Sequence, residues 1–159
     1  MPDAAQSQAA CEVWFYHLER TGLDQALPEL LEKTLQKGWK AALSQYPFLD
    51  GDKACALGAS YGGFMAYWIA GNWQQPWKCI VAHDGVFDNR IMGYATEELW
   101  FSEWENGGTP WTNPEGYEKF NPVLHVKDWS VPMLIVHSGN DFRIPVEQGI
   151  AAFTALQGR

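Results

Sequence analysis

The amino-acid sequence predicts an α/β fold in which a parallel sheet is flanked by helices. Three short apolar runs, which begin at Ala54, Cys79 and Met133, have the length and composition of buried parallel strands. Helical patterns separate or follow these runs, so strands and helices alternate along the chain. Because three strands are fewer than a complete doubly wound sheet contains, we expect part of such a fold.

Two segments precede the first strand. Residues 1–34 form a compositional block of their own, and we interpret them as a helical N-terminal segment. Apolar residues recur at helical spacing through residues 24–46, and Pro47 ends that pattern. The sequence Asp50-Gly51-Asp52 is typical of a turn, and it leads into the first strand.

The elements after the first strand follow in a regular order. Residues 62–70 predict a helix, and residues 79–83 predict the second strand. Residues 84–122 are rich in aromatic residues, Gly, Pro and Asn, and they predict loops and short helices. Residues 133–137 predict the third strand, and residues 145–156 a last helix with proline near its start.

Composition excludes several classes of function. The chain has 159 residues, 47% of them hydrophobic, which indicates one globular domain with a core. Its net charge of −8 disfavours binding to phosphate backbones, so we expect no nucleic-acid partner. No run approaches the roughly 20 apolar residues that span a bilayer, and we expect no membrane partner. Residues 1–10 lack the architecture of a signal peptide, so a cytoplasmic location is expected as the sequence stands.

The cysteine pattern predicts neither a disulfide framework nor a zinc site. The chain has three cysteines, Cys11, Cys55 and Cys79, and no pair has the spacing of a CxxC motif. Cys55 and Cys79 lie in apolar runs, so we expect buried, unreactive thiols at both positions. We expect no metal and no cofactor.

A nucleophile elbow is the most specific motif of the chain. Ser60 lies in the sequence Gly58-Ala59-Ser60-Tyr61-Gly62-Gly63, between a predicted strand and a predicted helix. On such a turn the serine hydroxyl projects above the sheet, and the flanking residues two before and two after it approach too closely for a Cβ. The backbone N–H of Tyr61 would be the first oxyanion donor, at a helix N-terminus. The alternative is an ordinary turn rich in glycine and serine.

Asp141 is the candidate acid partner of this serine. It follows the third apolar run, and in α/β-hydrolases the acid lies on a loop after a late strand, in the chain order serine, acid, histidine. The acid would accept a hydrogen bond from the imidazole of the base. The alternative is an aspartate that only caps a turn. Asp84 and Asp88 are lower-ranked candidates for the acid.

The base has no clear candidate in the sequence. The histidines are His17, His83, His125 and His137, and all four precede Asp141. We interpret His83 and His137, at strand ends, as structural histidines rather than displaced bases. A serine without a base is a weak nucleophile.

The chain resembles the catalytic domain of the prolyl oligopeptidase family of serine peptidases, and within it the bacterial dipeptidyl-peptidase and acylaminoacyl-peptidase types. The glycine-rich elbow and the loop His137-Ser138-Gly139-Asn140-Asp141 are the most specific matching parts. The segments that carry the resemblance are residues 35–43, 46–52, 58–66, 83–87, 97–100, 121–124 and 137–145.

The resemblance implies hydrolysis of short peptides through an acyl-enzyme, with Ser60 as nucleophile and Asp141 as acid. It also implies that the segment around Glu98, Trp100, Trp104 and Trp111 helps to line the substrate pocket, although core packing explains the tryptophans equally well. It divides the chain into residues 1–34, which do not match the family, and residues 35–159, a partial α/β-hydrolase domain without the segment that bears the catalytic histidine. Full-length relatives could be periplasmic.

Two other functions stay open at this point. A catalytically inactive fragment could serve as a folded or interacting unit and could self-associate through exposed sheet edges. An esterase of the same fold is the second alternative, because ester and peptide hydrolysis pass through the same kind of tetrahedral intermediate.

Overall fold

The computed structural model describes residues 37–38, 40–73 and 76–159. The chain divides into two compact units, Met1–Leu49 and Asp50–Arg159. In the first unit residues 40–45 are helical, which agrees with the helix expected before Pro47. The expectations for residues 1–36 lie outside the described residues.

The second unit contains the expected alternation of strands and helices. Its strands are β1 (Ala54–Ala59), β2 (Trp77–His83) and β3 (Met133–Val136). Helix α1 (Tyr61–Asn72) lies between β1 and β2, and α5 (Glu147–Gln157) follows β3. The long connection from β2 to β3 contains helices α2 (Asn89–Ala95), α3 (Leu99–Asn106) and α4 (Pro114–Glu118), and a 3₁₀ helix (Pro122–Asp128). Among the described residues, no helix is both long and apolar enough to cross a membrane.

The three strands form a parallel sheet in the order β1-β2-β3. The register pairs Ala59 with His83 and His83 with Val136. The carboxyl ends of all three strands therefore lie in one row at the same edge of the sheet. Residues that directly follow the strands begin at this edge, which is where ligands bind in open α/β sheets.

One face of the sheet carries the core. Ile80 and Ala82 of β2 are fully buried and pack with Tyr67 of α1. The Tyr67 ring stacks on Trp129, which follows the 3₁₀ helix, with 5.8 Å between ring centroids. Burial of an aromatic side chain of this size stabilises the fold by about 3 kcal/mol, so α1 and the segment before β3 are both held on this face.

The opposite face of the sheet is more exposed. Leu57 of β1 and Leu134 and Val136 of β3 are all exposed there. Along β1 the buried residues Ala54 and Ala56 alternate with exposed ones, as expected for a strand with a single covered face. The expectation of buried strands therefore holds for one face of the sheet and is wrong for the face that carries Leu57, Leu134 and Val136.

The expectations for two cysteines were also wrong. Cys55 and Cys79 form a disulfide, with 4.7 Å between their Cα atoms. They are register partners on β1 and β2, so their side chains project from neighbouring positions on the same face of the sheet. Cys55 is exposed and Cys79 is half-buried. Sequence spacing did not reveal this pair because the parallel register, and not a CxxC motif, brings the two residues together.

A buried polar network joins α5 to the segment after β2. The side-chain oxygen of Gln148 accepts hydrogen bonds from the backbone N–H groups of Phe87 and Asp88, both at 2.8 Å. Its side-chain nitrogen donates to the Asp88 carbonyl at 2.9 Å. Gln148 is fully buried. A single side chain thus satisfies three backbone groups and fixes the chain where it leaves β2.

Candidate active site

Ser60 occupies a strained turn between β1 and α1. Its backbone angles are φ 56° and ψ −117°, a conformation that costs a residue other than glycine on the order of 1–3 kcal/mol. Its N–H donates to the His83 carbonyl at 2.9 Å, which ties the turn to the end of β2. Ser60 is exposed, and its hydroxyl makes no capping hydrogen bond to α1 although the residue stands at the N-cap. The hydroxyl is therefore available to a ligand, and an ordinary capping serine does not explain the strain.

Glycines allow the close approaches around this turn. A Cβ at Gly58 would overlap the Gly62 carbonyl, as the elbow geometry requires. A Cβ at Gly63 would lie 2.6 Å from Gly85 Cα, because α1 begins directly against the turn after β2. A Cβ at Gly62 would meet nothing within 4 Å. The expectation that both flanking residues need glycine thus holds for Gly58 and is wrong for Gly62.

The Tyr61 backbone N–H is free to serve as an oxyanion donor. Tyr61 is the first residue of α1, and no hydrogen bond from its N–H is found within the described ranges. A free N–H at a helix N-terminus carries partial positive charge and favours a developing oxyanion. The phenol ring packs on Phe64, with 5.3 Å between ring centroids. Burial, with a smaller contribution from the Glu105 charge, raises the pKa of Tyr61 above its ordinary value.

The two carboxylate oxygens of Asp141 differ in their hydrogen bonding. Its Oδ1 accepts hydrogen bonds from the backbone N–H groups of Arg143, at 2.9 Å, and Ile144, at 2.8 Å. Its own N–H lies 3.3 Å from the Ser138 carbonyl, which closes the turn. No hydrogen bond to Asp141 Oδ2 is found in the described part of the chain. Asp141 therefore caps a turn through Oδ1, as the alternative interpretation expected. Its Oδ2 is free to accept a hydrogen bond from an imidazole.

The two lower-ranked acid candidates are engaged elsewhere. Both carboxylate oxygens of Asp84 have partners, the Ser138 N–H at 2.7 Å and His83 Nε2 at 3.0 Å. Asp88 is buried, and its carboxylate forms two hydrogen bonds with the Arg90 guanidinium, at 3.0 and 2.9 Å. Burial alone would raise the pKa of Asp88, but hydrogen bonds from Arg90 and Asn121 outweigh it and hold that pKa below its ordinary value.

Each of the three described histidines, His83, His125 and His137, has a contact of its own. The His137 side chain is only 5% exposed, its Nε2 lies 2.7 Å from the Ile144 carbonyl, and its ring lies against Gly149. His83 is exposed and paired with Asp84. His125 packs edge-on against Trp68, with 4.8 Å between ring centroids. His17 lies outside the described residues.

The loop of residues 137–144, which carries Asp141, is called the acid loop below. A cavity of about 750 Å³ opens beside this loop. Arg143 lines this cavity and forms ion pairs with two carboxylates, with 2.6 Å from Nε to Glu97 Oε1 and 2.8 Å from Nη2 to Glu98 Oε1. The hydrogen bond to Glu97 raises the pKa of Arg143 above its ordinary value. The residues that line this cavity are Asp84, Glu97, Ser138, Asn140, Asp141, Phe142 and Arg143.

Of the four predicted substrate-pocket residues, Glu98, Trp100 and Trp104 lie at or within α3, and Trp111 lies in the loop after it. Glu98 contacts a residue of the cavity wall, Arg143. Trp100, Trp104 and Trp111 are 62%, 83% and 65% exposed, so core packing does not account for them. None of the three is among the residues that line the cavity beside the acid loop. Their role in a substrate pocket stays a prediction.

Three side chains at the strand ends could approach a cation together. One ligand atom each of Asp84, His137 and Asp141 lies within 4.8 Å of the others. However, His137 Nε2 lies 2.7 Å from the Ile144 carbonyl, and a nitrogen that donates its proton there has no lone pair for a metal. Nε2 is therefore not available to a cation, and the other ring nitrogen, Nδ1, is buried without a hydrogen-bond partner in the part of the chain that the structure describes.

Comparison with known proteins identifies the family. A sequence model of the prolyl oligopeptidase family matches residues 33–159. The chain belongs to the prolyl oligopeptidase family. Among curated members similar to it are dipeptidyl-peptidase 5 of Schizosaccharomyces pombe, 43% identical over 126 residues, and dipeptidyl-peptidase 5 of Porphyromonas gingivalis, 38% identical over 121 residues. These matches cover 79% and 74% of this chain and 18% of each relative, so the chain spans about a fifth of their length.

Solved structures of the family share the fold. An acylaminoacyl peptidase of Pyrococcus horikoshii superimposes with a TM-score of 0.68 at 22% identity, over 79% of this chain and 20% of that one. An acylaminoacyl peptidase in complex with Z-Gly-Gly-Phe-chloromethyl ketone gives a TM-score of 0.66 at 24% identity, over 75% and 19% of the two chains. This prolyl oligopeptidase family chain therefore has part of the α/β-hydrolase fold, as the sequence predicted.

Proposed function

We propose that this chain is the nucleophile and acid portion of a serine peptidase catalytic domain that cleaves short peptides. The observation that carries the proposal is the strained, exposed Ser60 with its uncapped hydroxyl beside the free N–H of Tyr61. Similarity to proteins named dipeptidyl-peptidase 5, and to a peptidase crystallised with a peptide chloromethyl ketone, supports a peptide substrate.

The geometry supports acyl transfer through Ser60. The hydroxyl oxygen would attack the scissile carbonyl carbon, its proton would pass to a base, and the carbonyl oxygen would become an oxyanion near Tyr61 N–H. The acyl-enzyme would form as the base returns the proton to the leaving amine, and water would then release the acyl group. Asp141 Oδ2 would accept the N–H of the imidazole that serves as the base.

The base is the part of the mechanism without a residue in this sequence. No histidine follows Asp141, and the described histidines have other partners. A serine without its base retains only a small part of the rate of a complete triad. We therefore expect weak acylation or phosphonylation of Ser60 in this 159-residue chain.

A fluorophosphonate probe with mass-spectrometric mapping tests this function. The expected result is a slow adduct on Ser60 that disappears in Ser60→Ala. An adduct that survives Ser60→Ala would refute the assignment. Rapid labelling that disappears in His83→Ala, but is kept in His137→Ala, would instead show that His83 acts as a displaced base.

A second candidate is a non-catalytic folded or interacting unit. The exposed apolar residues Leu57, Leu134 and Val136 on one sheet face favour it, because such a face promotes association. Size-exclusion chromatography with light scattering distinguishes the two, since a clean monomer that labels at Ser60 contradicts this candidate. An esterase is distinguished by its turnover of p-nitrophenyl acetate without turnover of peptide amides.

A further inference from the structure

Asp84 is a second strained residue at the same edge of the sheet as Ser60. Its φ of 44° lies in the left-handed region, and within the described ranges only Ser60 and Asp84 adopt a positive φ without being glycine. Asp84 directly follows β2, the central strand, between the nucleophile turn after β1 and the acid loop after β3. Strain of this kind persists only where the surroundings hold the residue in place.

The contacts of Asp84 connect β2 to the acid loop. Its backbone N–H donates to the Val136 carbonyl at 2.9 Å, which continues the sheet ladder by one residue. Its Oδ1 accepts the Ser138 N–H at 2.7 Å, a short hydrogen bond of the charge-assisted kind. Its Oδ2 lies 3.0 Å from His83 Nε2. Both the backbone and the side chain of Asp84 therefore bind the chain on either side of His137.

The Ser138 N–H is the point at which the acid loop is anchored. The Ser138 carbonyl accepts the Asp141 N–H at 3.3 Å, so the same residue begins the turn that carries Asp141. The Asp141 carboxylate then fixes the far side of the turn through the N–H groups of Arg143 and Ile144. A displacement of Ser138 would move Asp141, because Asp141 is hydrogen-bonded to Ser138 and follows it closely in the chain.

We propose that Asp84 is a positioning residue for Asp141, and that its carboxylate holds the acid loop in the geometry that a triad acid needs. The inference rests on the proposed function of Asp141. It also explains why an aspartate occupies a strained position where glycine would adopt the same backbone without cost. Glycine would relieve the strain and lose the hydrogen bond to Ser138.

Three substitutions of Asp84 distinguish the effect of its carboxylate from the effect of its strained backbone. Asp84→Asn keeps an oxygen that accepts the Ser138 N–H and tolerates the left-handed conformation. Asp84→Ala removes the acceptor and keeps the strain. Asp84→Gly removes the acceptor and the strain together, so it is the variant best able to keep the fold.

Amide hydrogen exchange and ¹⁵N–¹H chemical shifts give a readout that does not depend on activity. We expect exchange at the Ser138 amide to accelerate about tenfold or more in Asp84→Gly and Asp84→Ala, with shifts at Arg143 and Ile144. Asp84→Asn should change these amides much less. Unchanged exchange and shifts at all three amides in Asp84→Gly would overturn the proposal. So would equal effects of Asp84→Asn and Asp84→Gly.

A double-mutant cycle tests whether Asp84 acts through Asp141. The measured rate is phosphonylation of Ser60 with imidazole added as a base. We expect Asp84→Gly to lower this rate, Asp84→Asn to restore most of it, and Asp84→Gly combined with Asp141→Ala to be no slower than Asp141→Ala alone. Independent, multiplicative losses would overturn the proposal. If the wild-type chain shows no labelling at all, the proposed function fails, and the amide measurements still decide whether Asp84 positions the loop.

Discussion

The substitution of glycine by alanine should have opposite effects on stability at Gly62 and Gly63, two adjacent positions at the start of α1. A Cβ at Gly63 would lie 2.6 Å from Gly85 Cα and 2.8 Å from the His83 carbonyl oxygen, and both neighbours are backbone atoms that cannot rotate away. A Cβ at Gly62 would meet no atom within 4 Å. Alanine is favoured over glycine in a helix by up to about 1 kcal/mol, and that gain applies at both positions. Overpacking, which costs about 1–3 kcal/mol, applies only at Gly63.

We therefore expect Gly63→Ala to lower the free energy of unfolding by up to about 2 kcal/mol. Gly62→Ala should leave it unchanged or raise it by up to about 1 kcal/mol. Urea unfolding followed by tryptophan fluorescence measures both, and the difference between the two variants cancels the helix-propensity gain. Equal stability of the two variants would refute the close approach of α1 to the turn after β2, and with it the backbone geometry assigned to the elbow.

Three further perturbations test the surrounding structure. The pKa of Asp88 is lowered in the folded state, so its ionised carboxylate should stabilise the protein above the unfolded pKa of about 3.9. This stabilisation should be lost as the pH falls through the folded pKa. The urea midpoint should therefore decline more steeply below about pH 5 in the wild type than in Asp88→Asn. Gln148→Ala should lower the free energy of unfolding by about 2–5 kcal/mol, because it leaves buried backbone groups unpaired, and a loss below about 0.5 kcal/mol by urea unfolding would contradict the network. Reduction of the disulfide, whose cysteines are 24 residues apart, should cost about 3 kcal/mol in the wild type and nothing in Cys55→Ser combined with Cys79→Ser.

The fold was largely predictable from the sequence because local patterns determine its elements. The strand that begins at Ala54 and the helix that begins at Tyr61 are bounded by turn signals that lie next to them in the chain. The exposure of Leu57 and Leu134 was not predictable in the same way. An apolar run has the same composition whether a partner covers one face of the strand or both, so the sequence of the strand alone cannot show which faces are covered.

The site was predictable where a motif carries its own geometry. The strained backbone of Ser60 and the overlap at Gly58 follow directly from the elbow sequence. The pairing of Asp84 with Ser138 joins residues 54 apart, and the disulfide joins β1 to β2, so both depend on the strand register. One local signal was present: aspartate before glycine, directly after a strand, is a sequence that favours a left-handed turn residue.

We propose that Ser60 is the nucleophile and that none of the described histidines, His83, His125 and His137, serves as its base. Imidazole in solution can take the place of a base, so the most direct measurement is the rate of Ser60 phosphonylation by a fluorophosphonate as a function of imidazole concentration. We expect slow labelling without imidazole, a rate that rises with imidazole concentration, an adduct on Ser60, and no adduct in Ser60→Ala. Labelling that is indifferent to imidazole, or that maps to another residue, would contradict this account of the site.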